Sequence, residues 1–368
     1  MKVVFFFLCI SAYVKVSLAQ GAYFLSDDFI NDINSKQDQW KAGRNFDPNT
    51  SEEDIKVRLG AILDGDVKPR VKTFDPNWPA ETKIPKNFDS RKRWRKQCPR
   101  IAEVLDQGKC GSCWAIAVTQ AFTDRWCIIT KGKHQLRLST SNLLSCCYLC
   151  GFGCGGGFPG MAWLYVQRHG LPSGGNYNTT EGCQPYSIPS PCKYQGDDSP
   201  YQPCTPVTET PPCESRCTNS KYGKRLDKDY RYGHDMYVVP DDEKSIMREI
   251  LAYGPVSTAF SVMDDFPSYK SGVYEPSASA KFLGGHAVKV LGWGVENKVP
   301  YWLVMNSWNE YWGDHGLIKI KRNSPRVKLE VACLAAVPNT KKKSSEDMED
   351  PEVVADSSVE SLNEDEEV

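Results

Sequence analysis

The segment Gln107-Gly-Lys-Cys-Gly-Ser-Cys-Trp-Ala115 constrains the fold of this chain more than any other, because it places a thiol where a helix begins. Apolar residues follow Cys113 at helical spacing, so a helix is predicted to start at this cysteine. These residues are Trp114, Ala117, Val118, Ala121 and Phe122. The positive end of a helix dipole favours the thiolate form, and the thiolate is the nucleophile. The segment therefore predicts a reactive Cys113.

A second interpretation treats Cys110 and Cys113 as a redox pair, since a Cys-x-x-Cys motif before a helix also lowers a thiol pKa. Such a pair needs no remote histidine, whereas a nucleophile for acyl transfer needs a base and a group that orients the base. The chain contains five histidines. Among them, His286 lies in a run of β-type residues, 284–294, and a second such run, 301–308, follows.

The spacing between these two runs predicts that His286 and Asn306 lie opposite each other. Both are equally far from Glu296, the expected centre of an antiparallel hairpin. Directly opposite residues have Cβ atoms about 4.5–5.5 Å apart, so the Asn306 amide can orient the imidazole by a hydrogen bond. A solvated strand histidine and a structural asparagine are each common when taken singly. Together with Cys113 they predict a Cys–His–Asn triad.

Several separate segments resemble the cathepsin B-like members of the papain family of cysteine peptidases, and the resemblance extends to about residue 340. The segments are 87–91, 106–115, 154–159, 183–189, 269–274, 292–297 and 306–308. The resemblance implies an α+β fold in which a helical subdomain faces an antiparallel, β-barrel-like subdomain. It also implies a cysteine endopeptidase that is made as a zymogen and needs no cofactor or metal.

The resemblance assigns roles to individual side chains. Cys113 is the nucleophile, His286 is the general base and acid, and Asn306 orients the imidazole. Gln107 donates to the oxyanion together with the Cys113 N–H, and one such donor is typically worth ~2.7–4 kcal/mol of transition-state stabilisation. Trp308 shields the His–Asn bond from water. The substrate-binding residues implied are Gly156, Gly157, Phe158, Pro159, Ala259, Ala287, Ala332 and Trp308.

Two departures from the family pattern bear on specificity. Many cathepsin B-like enzymes have Glu at the floor of the pocket for the substrate residue two before the cut and accept Arg there. Ala332 at that position cannot pair a buried guanidinium, and Glu330 lies two residues away, so we expect Phe, Leu or Val over Arg. The insert 183–217 resembles an occluding loop, but Lys193 and Tyr194 stand where two carboxylate-binding histidines are usual.

These replacements predict an endopeptidase with weak or absent dipeptidyl-carboxypeptidase activity. The alternative is that Lys193 binds the terminal carboxylate as a point charge, although its flexible stem fixes geometry poorly. A further alternative is a catalytically idle relative that acts as a binding or matrix protein. Such relatives typically lose the nucleophile, and Cys113 is present.

The chain has fifteen cysteines, which together with an N-terminal apolar stretch indicate an oxidising compartment. The disulfides implied by the resemblance are Cys98–Cys127, Cys110–Cys154, Cys146–Cys213, Cys147–Cys150, Cys183–Cys217 and Cys192–Cys204. Cys333 is left over. A zinc site at Cys146-Cys147-x-x-Cys150 is the alternative, but the sequence lacks the paired spacing of four ligands that such sites have.

The chain is expected to divide into four segments. They are a secretory signal peptide (1–19), a propeptide (20–83), a mature papain-like peptidase (84–340) and an acidic, disordered tail (341–368). Ser26 is the N-cap candidate of a propeptide helix that is predicted to end in segment 40–46. Segment 40–46 is similar to one found in cathepsin B propeptides, which run through the cleft in the reverse direction and block it. The alternative for residues 20–83 is a separate small first domain.

The propeptide should keep the enzyme inactive near neutral pH and release it at mildly acidic pH, as its carboxylates lose charge. The acids concerned are Asp27, Asp28, Glu52, Glu53 and Asp54. The expected destination is secreted or lysosomal. The expected partners are protein and peptide substrates and cystatin-type inhibitors, and the protein is expected to be a monomer.

Three further features of the sequence bear on partners and modification. No focused Lys/Arg stripe favours nucleic acid, and beyond the signal no apolar run approaches the ~18–20 residues of a membrane span. Asn49 and Asn178 match glycosylation acceptors.

Overall fold

The computed structural model describes residues 21–47, 49–63, 83–190 and 208–341. The predicted signal peptide, the Cys192–Cys204 disulfide, Lys193, Tyr194 and all but the first residue of the tail lie outside these residues. The helices are α1 (Asp27–Lys36), α2 (Glu52–Lys56), α3 (Ser90–Arg93), α4 (Cys113–Ile129), α5 (Thr140–Cys146), α6 (Pro159–Arg168) and α7 (Glu243–Tyr253). The strands are β1 (Trp40–Ala42), β2 (Phe88–Asp89), β3 (Gly233–Val238), β4 (Val256–Met263), β5 (Tyr269–Tyr274), β6 (Phe282–Glu296), β7 (Val299–Met305), β8 (Leu317–Lys321) and β9 (Leu334–Pro338).

The strands of the described residues form one sheet in the order β1-β5-β8-β7-β6-β4-β9-β3, with β2 paired to β6. Its pairs are antiparallel except for β5 with β8. The predicted α+β class, with helices facing a sheet, is confirmed. The predicted barrel-like closure is too strong, because β1 and β3 end the path without pairing to each other among the described residues.

Helix α4 is the central element of the helical subdomain, and the predicted helix start at Cys113 is confirmed. Nearly every residue of α4 is buried, because α6 packs on it and β6 lies against another side. The rings of Phe122 and Trp163 meet edge to face between α4 and α6, with centroids 5.7 Å apart. None of the described helices has both the length and the apolarity of a membrane span.

Two buried ion pairs join α4 to the rest of the molecule. Lys289 of β6 donates to Asp124 of α4 at 2.7 Å, and both side chains are almost fully buried. The next residue of the helix, Arg125, pairs with Glu249 of α7 at 2.5 Å. A buried charge without a partner is costly, so these pairs fix how α4 lies against the sheet.

The predicted N-cap of the propeptide helix is confirmed, because the Ser26 hydroxyl accepts the Phe29 N–H at 3.2 Å. The predicted end of that helix is wrong. Helix α1 ends at Lys36, and Trp40–Ala42 forms strand β1 on the edge of β5. The Trp40 indole also donates to the Glu275 carbonyl at 3.0 Å. Pairing with a distant strand satisfies this backbone, which local helical spacing does not foresee.

Five disulfides lie within the described residues. They are Cys98–Cys127, Cys110–Cys154, Cys146–Cys213, Cys147–Cys150 and Cys183–Cys217, the same pairs as the resemblance implies. Because Cys110 is bonded to Cys154, it does not form a redox pair with Cys113, which is free and buried like Cys333. The three cysteines of the alternative zinc cluster are likewise bonded as disulfides.

Replacing Asp124 by Ala should lower the free energy of unfolding by about 3–5 kcal/mol, because it leaves the Lys289 ammonium buried without its counter-charge. The measurement is chemical denaturation of the zymogen followed by tryptophan fluorescence. The matched control is Asp32→Ala, which removes an exposed ion pair with Lys36 on α1 and should change stability little. Equal losses in the two variants would contradict a special role for the buried pair.

Candidate active site

Cys113 lies at the first position of α4, and its sulfur faces the sheet. The thiol is fully buried, and the backbone N–H groups of Ala287 and Gly60 lie near enough to favour its charged form. Ala287 follows His286 on β6, so the fold brings the predicted nucleophile and the predicted base together from different subdomains. Gly60 belongs to the predicted propeptide.

The imidazole of His286 is held by Asn306, as the sequence predicts. Its Nε2 lies 2.7 Å from Asn306 Oδ1, and that oxygen also accepts the Ser307 N–H at 2.8 Å. The Trp308 ring covers this pair, with its centroid 5.0 Å from that of His286. The other ring nitrogen, Nδ1, is buried and has no hydrogen bond of normal geometry within the described residues. The Arg58 carbonyl of the covering segment acts on this ring, and once that segment leaves, Nδ1 is available to exchange a proton with a reacting group.

The strand register that led to this prediction is wrong, although the hydrogen bond is present. Strands β6 and β7 pair Lys289 with Met305 and Glu296 with Val299, with a bulge between residues 290 and 292. The pairing therefore does not bring position 286 opposite 306. His286 instead faces Phe260 of β4. Asn306 lies just past the end of β7 and reaches the imidazole from there.

Burial makes both reacting groups neutral in this form. It raises the pKa of the Cys113 thiol to about 11, against the weaker effect of the N–H donors. It lowers the pKa of His286 to about 4, although the Asn306 hydrogen bond and the Arg58 carbonyl favour the charged ring. While residues 58–62 cover the site, desolvation therefore disfavours the thiolate that the sequence predicts.

Gln107 holds a peptide carbonyl beside the thiol. Its Nε2 donates to the carbonyl of Arg58 at 2.9 Å and to that of Cys110 at 2.8 Å. Its Oε1 accepts the Ser307 hydroxyl at 2.7 Å, which fixes the amide orientation. Ser307 is a site residue that sequence reasoning missed, and its only signal is its place between Asn306 and Trp308.

Residues 58–62 fill the cleft, and isolated β-bridges at Gly60 and Ala61 hold them there. The Gly157 N–H donates to the Gly60 carbonyl at 2.8 Å, and the Ile62 N–H donates back to Gly157 at 3.0 Å. Both bridges of this segment, to Gly157 and to Gly285, are parallel. A Cβ at Gly60 would lie 1.9 Å from the Gly111 carbonyl oxygen, so only glycine fits so close to the active-site segment.

Two of the predicted pocket residues belong to one buried cluster. Ala259 and Ala287 pair across β4 and β6 and form a buried cluster with Ala61, Cys113 and Ala117. Phe158 and Pro159 begin α6, directly after Gly156 and Gly157. Ala332 is half-buried and ends a short 3-10 helix, Leu329–Ala332, which contacts β4, the strand that carries Ala259.

The carboxylate of Glu330 is occupied by hydrogen bonds within the fold. Its carboxylate accepts the Trp302 indole and the Asn323 N–H, both at 2.7 Å, and the residue is buried. Among the described residues, no cluster of His, Cys, Asp and Glu has the geometry of a metal site.

Two of the five propeptide acids predicted to lose charge on mild acidification keep it. The hydrogen bond from Arg44 lowers the pKa of Asp27. Burial raises the pKa of Asp54, but the hydrogen bond and charge of Lys109, together with hydrogen bonds to Ser51, outweigh burial and lower it overall. When a carboxyl pKa is lowered, the stabilisation that the ionised carboxylate gives to the folded zymogen is lost only as the pH falls through that lower value. Release at mildly acidic pH therefore does not begin with these two acids.

Comparison with known proteins agrees with this geometry. Residues 84–337 match the pattern of the papain family cysteine proteases, and residues 25–65 match the peptidase family C1 propeptide. A cathepsin B-like cysteine proteinase of Schistosoma japonicum is 39% identical over 341 residues, which cover 92% of this chain and 98% of the relative. Cathepsin B-like cysteine proteinase 6 of Caenorhabditis elegans is 38% identical over 326 residues, 87% of this chain and 85% of the relative. The solved structure of procathepsin B S9 from Trypanosoma congolense has a TM-score of 0.74 at 34% identity, covering 87% of this chain and 100% of that one.

Alkylation of Cys113 by iodoacetamide should be slow while residues 21–63 are in place and much faster once they are removed. The covered thiol is buried and its pKa is about 11, so little thiolate exists near neutral pH, and the rate should rise steadily as the pH increases. The measurement is mass-spectrometric labelling of both forms across the neutral range, with buried Cys333 as the internal reference. Equal rates before and after removal would contradict the assignment of these pKa shifts to the cover.

Proposed function

Because the chain belongs to the papain family of cysteine proteases and to its cathepsin B-like members, we propose that Cys113 attacks peptide carbonyls, with His286 as base and acid and Asn306 as the group that orients it. One observation carries this proposal. The carbonyl of Arg58 accepts a hydrogen bond from Gln107 Nε2 at 2.9 Å, beside the thiol and the imidazole. A peptide group therefore already occupies the place where an oxyanion would form.

The proposed reaction needs only groups of this chain and water. His286 takes the thiol proton, and the Cys113 sulfur forms a bond to the carbonyl carbon. Gln107 Nε2 and the Cys113 N–H, which has no intrahelical acceptor at this position, receive the negative oxygen. His286 then gives its proton to the leaving amine as the C–N bond breaks. Water attacks the thioester with His286 as base, which releases the acid product and restores the thiol.

We further propose that residues 20–83 form an inhibitory propeptide, that 84–340 form the mature enzyme, and that the protein enters the secretory pathway toward lysosomes or the outside. The disulfides support an oxidising compartment. Asn49 and Asn178, the proposed glycosylation sites, are exposed. The proposed partners are protein and peptide substrates and cystatin-type inhibitors, with a monomeric enzyme.

The proposed activity is internal cleavage, with weak or absent release of C-terminal dipeptides. Its support is the sequence, since no histidine occurs between His169 and His234 to bind a terminal carboxylate. Lys193 and Tyr194, at the positions concerned, lie outside the described residues.

The first test is covalent labelling with an epoxysuccinyl inhibitor after acid activation. The label should appear on Cys113, and Cys113→Ala should remain unlabelled and inactive. Gln107→Ala should lower kcat by about 10²–10³-fold, because it removes one oxyanion donor. Absence of both labelling and peptide hydrolysis in the activated protein would instead favour an idle relative that acts by binding.

The second test concerns the pocket for the substrate residue two before the cut. The wild type should hydrolyse a Phe-Arg reporter much faster than an Arg-Arg reporter, because Ala332 offers no counter-charge to a guanidinium. Ala332→Glu should raise relative turnover of Arg-Arg by about tenfold or more. The matched control is Val331→Glu, which adds the same charge at an exposed neighbouring position. Comparable wild-type turnover of both reporters, or an equal gain in the control, would refute the assignment.

A further inference from the structure

Lys109 binds a carboxylate inside the active-site segment. Its Nζ lies 2.7 Å from Oδ1 of Asp54 in the propeptide, and its side chain is 7% exposed. Lys109 stands two residues after Gln107 and one before the disulfide-bonded Cys110. Its carbonyl accepts the Thr208 N–H at 2.9 Å, which anchors its backbone. The ammonium thus lies on a loop that the neighbouring disulfide and this hydrogen bond anchor, close to the proposed oxyanion donor.

The position of Asp54 identifies the side of the cleft that Lys109 serves. The Arg58 carbonyl marks the reaction centre, and Ala61 lies against Ala259 and Ala287 of the proposed pocket before the cut. Residues that precede Arg58 in the propeptide therefore lie on the opposite side of the reaction centre. That is the side on which the leaving part of a substrate lies.

The bound group is a side-chain carboxylate in a chain that continues on both sides. Asp54 lies inside α2, preceded by its cap Ser51 and followed by Lys56. It leaves with the propeptide, so the mature enzyme loses this counter-charge. An incoming carboxylate restores the charge-assisted hydrogen bond to the Lys109 ammonium.

We propose that Lys109 forms a subsite for an acidic side chain of the substrate on the leaving-group side of the cut. This inference rests on the proposed function, because it assigns specificity to the same cleft. A free C-terminal carboxylate has the same chemistry. Asp54 favours the internal side chain, because it presents its carboxylate from within a continuing chain.

The test uses quenched fluorescent peptides with amidated C-termini, in which Glu or Gln is placed in turn at each of the first four positions after the cut. A further peptide carries Gln and a free C-terminal carboxylate. In the mature wild type, Glu at one of these positions should raise kcat/KM about tenfold over Gln. The ratio should fall to near one in Lys109→Met, remain in Lys109→Arg and invert in Lys109→Glu.

Two controls keep the test decisive. Lys244→Met removes an exposed lysine of α7 and should keep the wild-type ratio. If Lys109→Met matures poorly, Asp54→Asn/Lys109→Met removes both charges from the zymogen. The wild-type enzyme provides a further check that needs no variant. Its preference for Glu over Gln should shrink at about 1 M salt, because the Debye length there is about 3 Å and the charge of Lys109 is screened.

Each other outcome overturns a defined part of the proposal. Equal rates for Glu and Gln at every position, or a preference that persists in Lys109→Met, would overturn the subsite and leave the proposed protease intact. A gain confined to the free C-terminus would overturn the assignment to an internal acidic residue. Failure to cleave even the neutral peptides would overturn the proposed function and the subsite with it.

Discussion

The contact between α4 and β6 is the constraint on which the site depends, because the thiol and the imidazole come from different subdomains. Lys289, on the same strand as His286, inserts its ammonium between Asp124 of α4, at 2.7 Å, and the Ile101 carbonyl, at 3.3 Å. Sliding the helix along the strand would leave buried charges unpaired. The pair therefore fixes the register that brings Cys113 beside Ala287, and with it the neighbouring imidazole.

The propeptide is part of this packing rather than a separate cover. Its apolar side chains share one buried cluster with the sheet, including Trp308 and Trp312. Phe46 meets Trp308 edge to face, with centroids 5.7 Å apart, and Trp308 lies in turn on His286. The propeptide that blocks the cleft therefore also packs against the proposed catalytic residues. Removal of the propeptide would expose apolar surface of the sheet that it now buries, and it would open the cleft to solvent.

The charge states of Cys113 and His286 depend on the propeptide that covers them. A fully buried thiol and imidazole are both held in their neutral forms, since neither charge is solvated. The ion pair between Lys109 and Asp54 persists under the same cover because each charge compensates the other. The zymogen thus suppresses charge at the reacting atoms and keeps it at the contact that holds the propeptide in the cleft.

Local patterns in the sequence were sufficient for the helix that starts at Cys113 and for the Ser26 cap, because neighbouring residues decide both. The resemblance to a known family supplied the catalytic set and the cysteine pairs. The sequence did not determine the β6–β7 register, because a bulge shifts it without a local signal. It also did not determine the strand at Trp40, whose partner lies over two hundred residues away. The shifted pKa of Cys113 and the partner of Lys109 depend on burial and on distant side chains, so only the tertiary structure decided them.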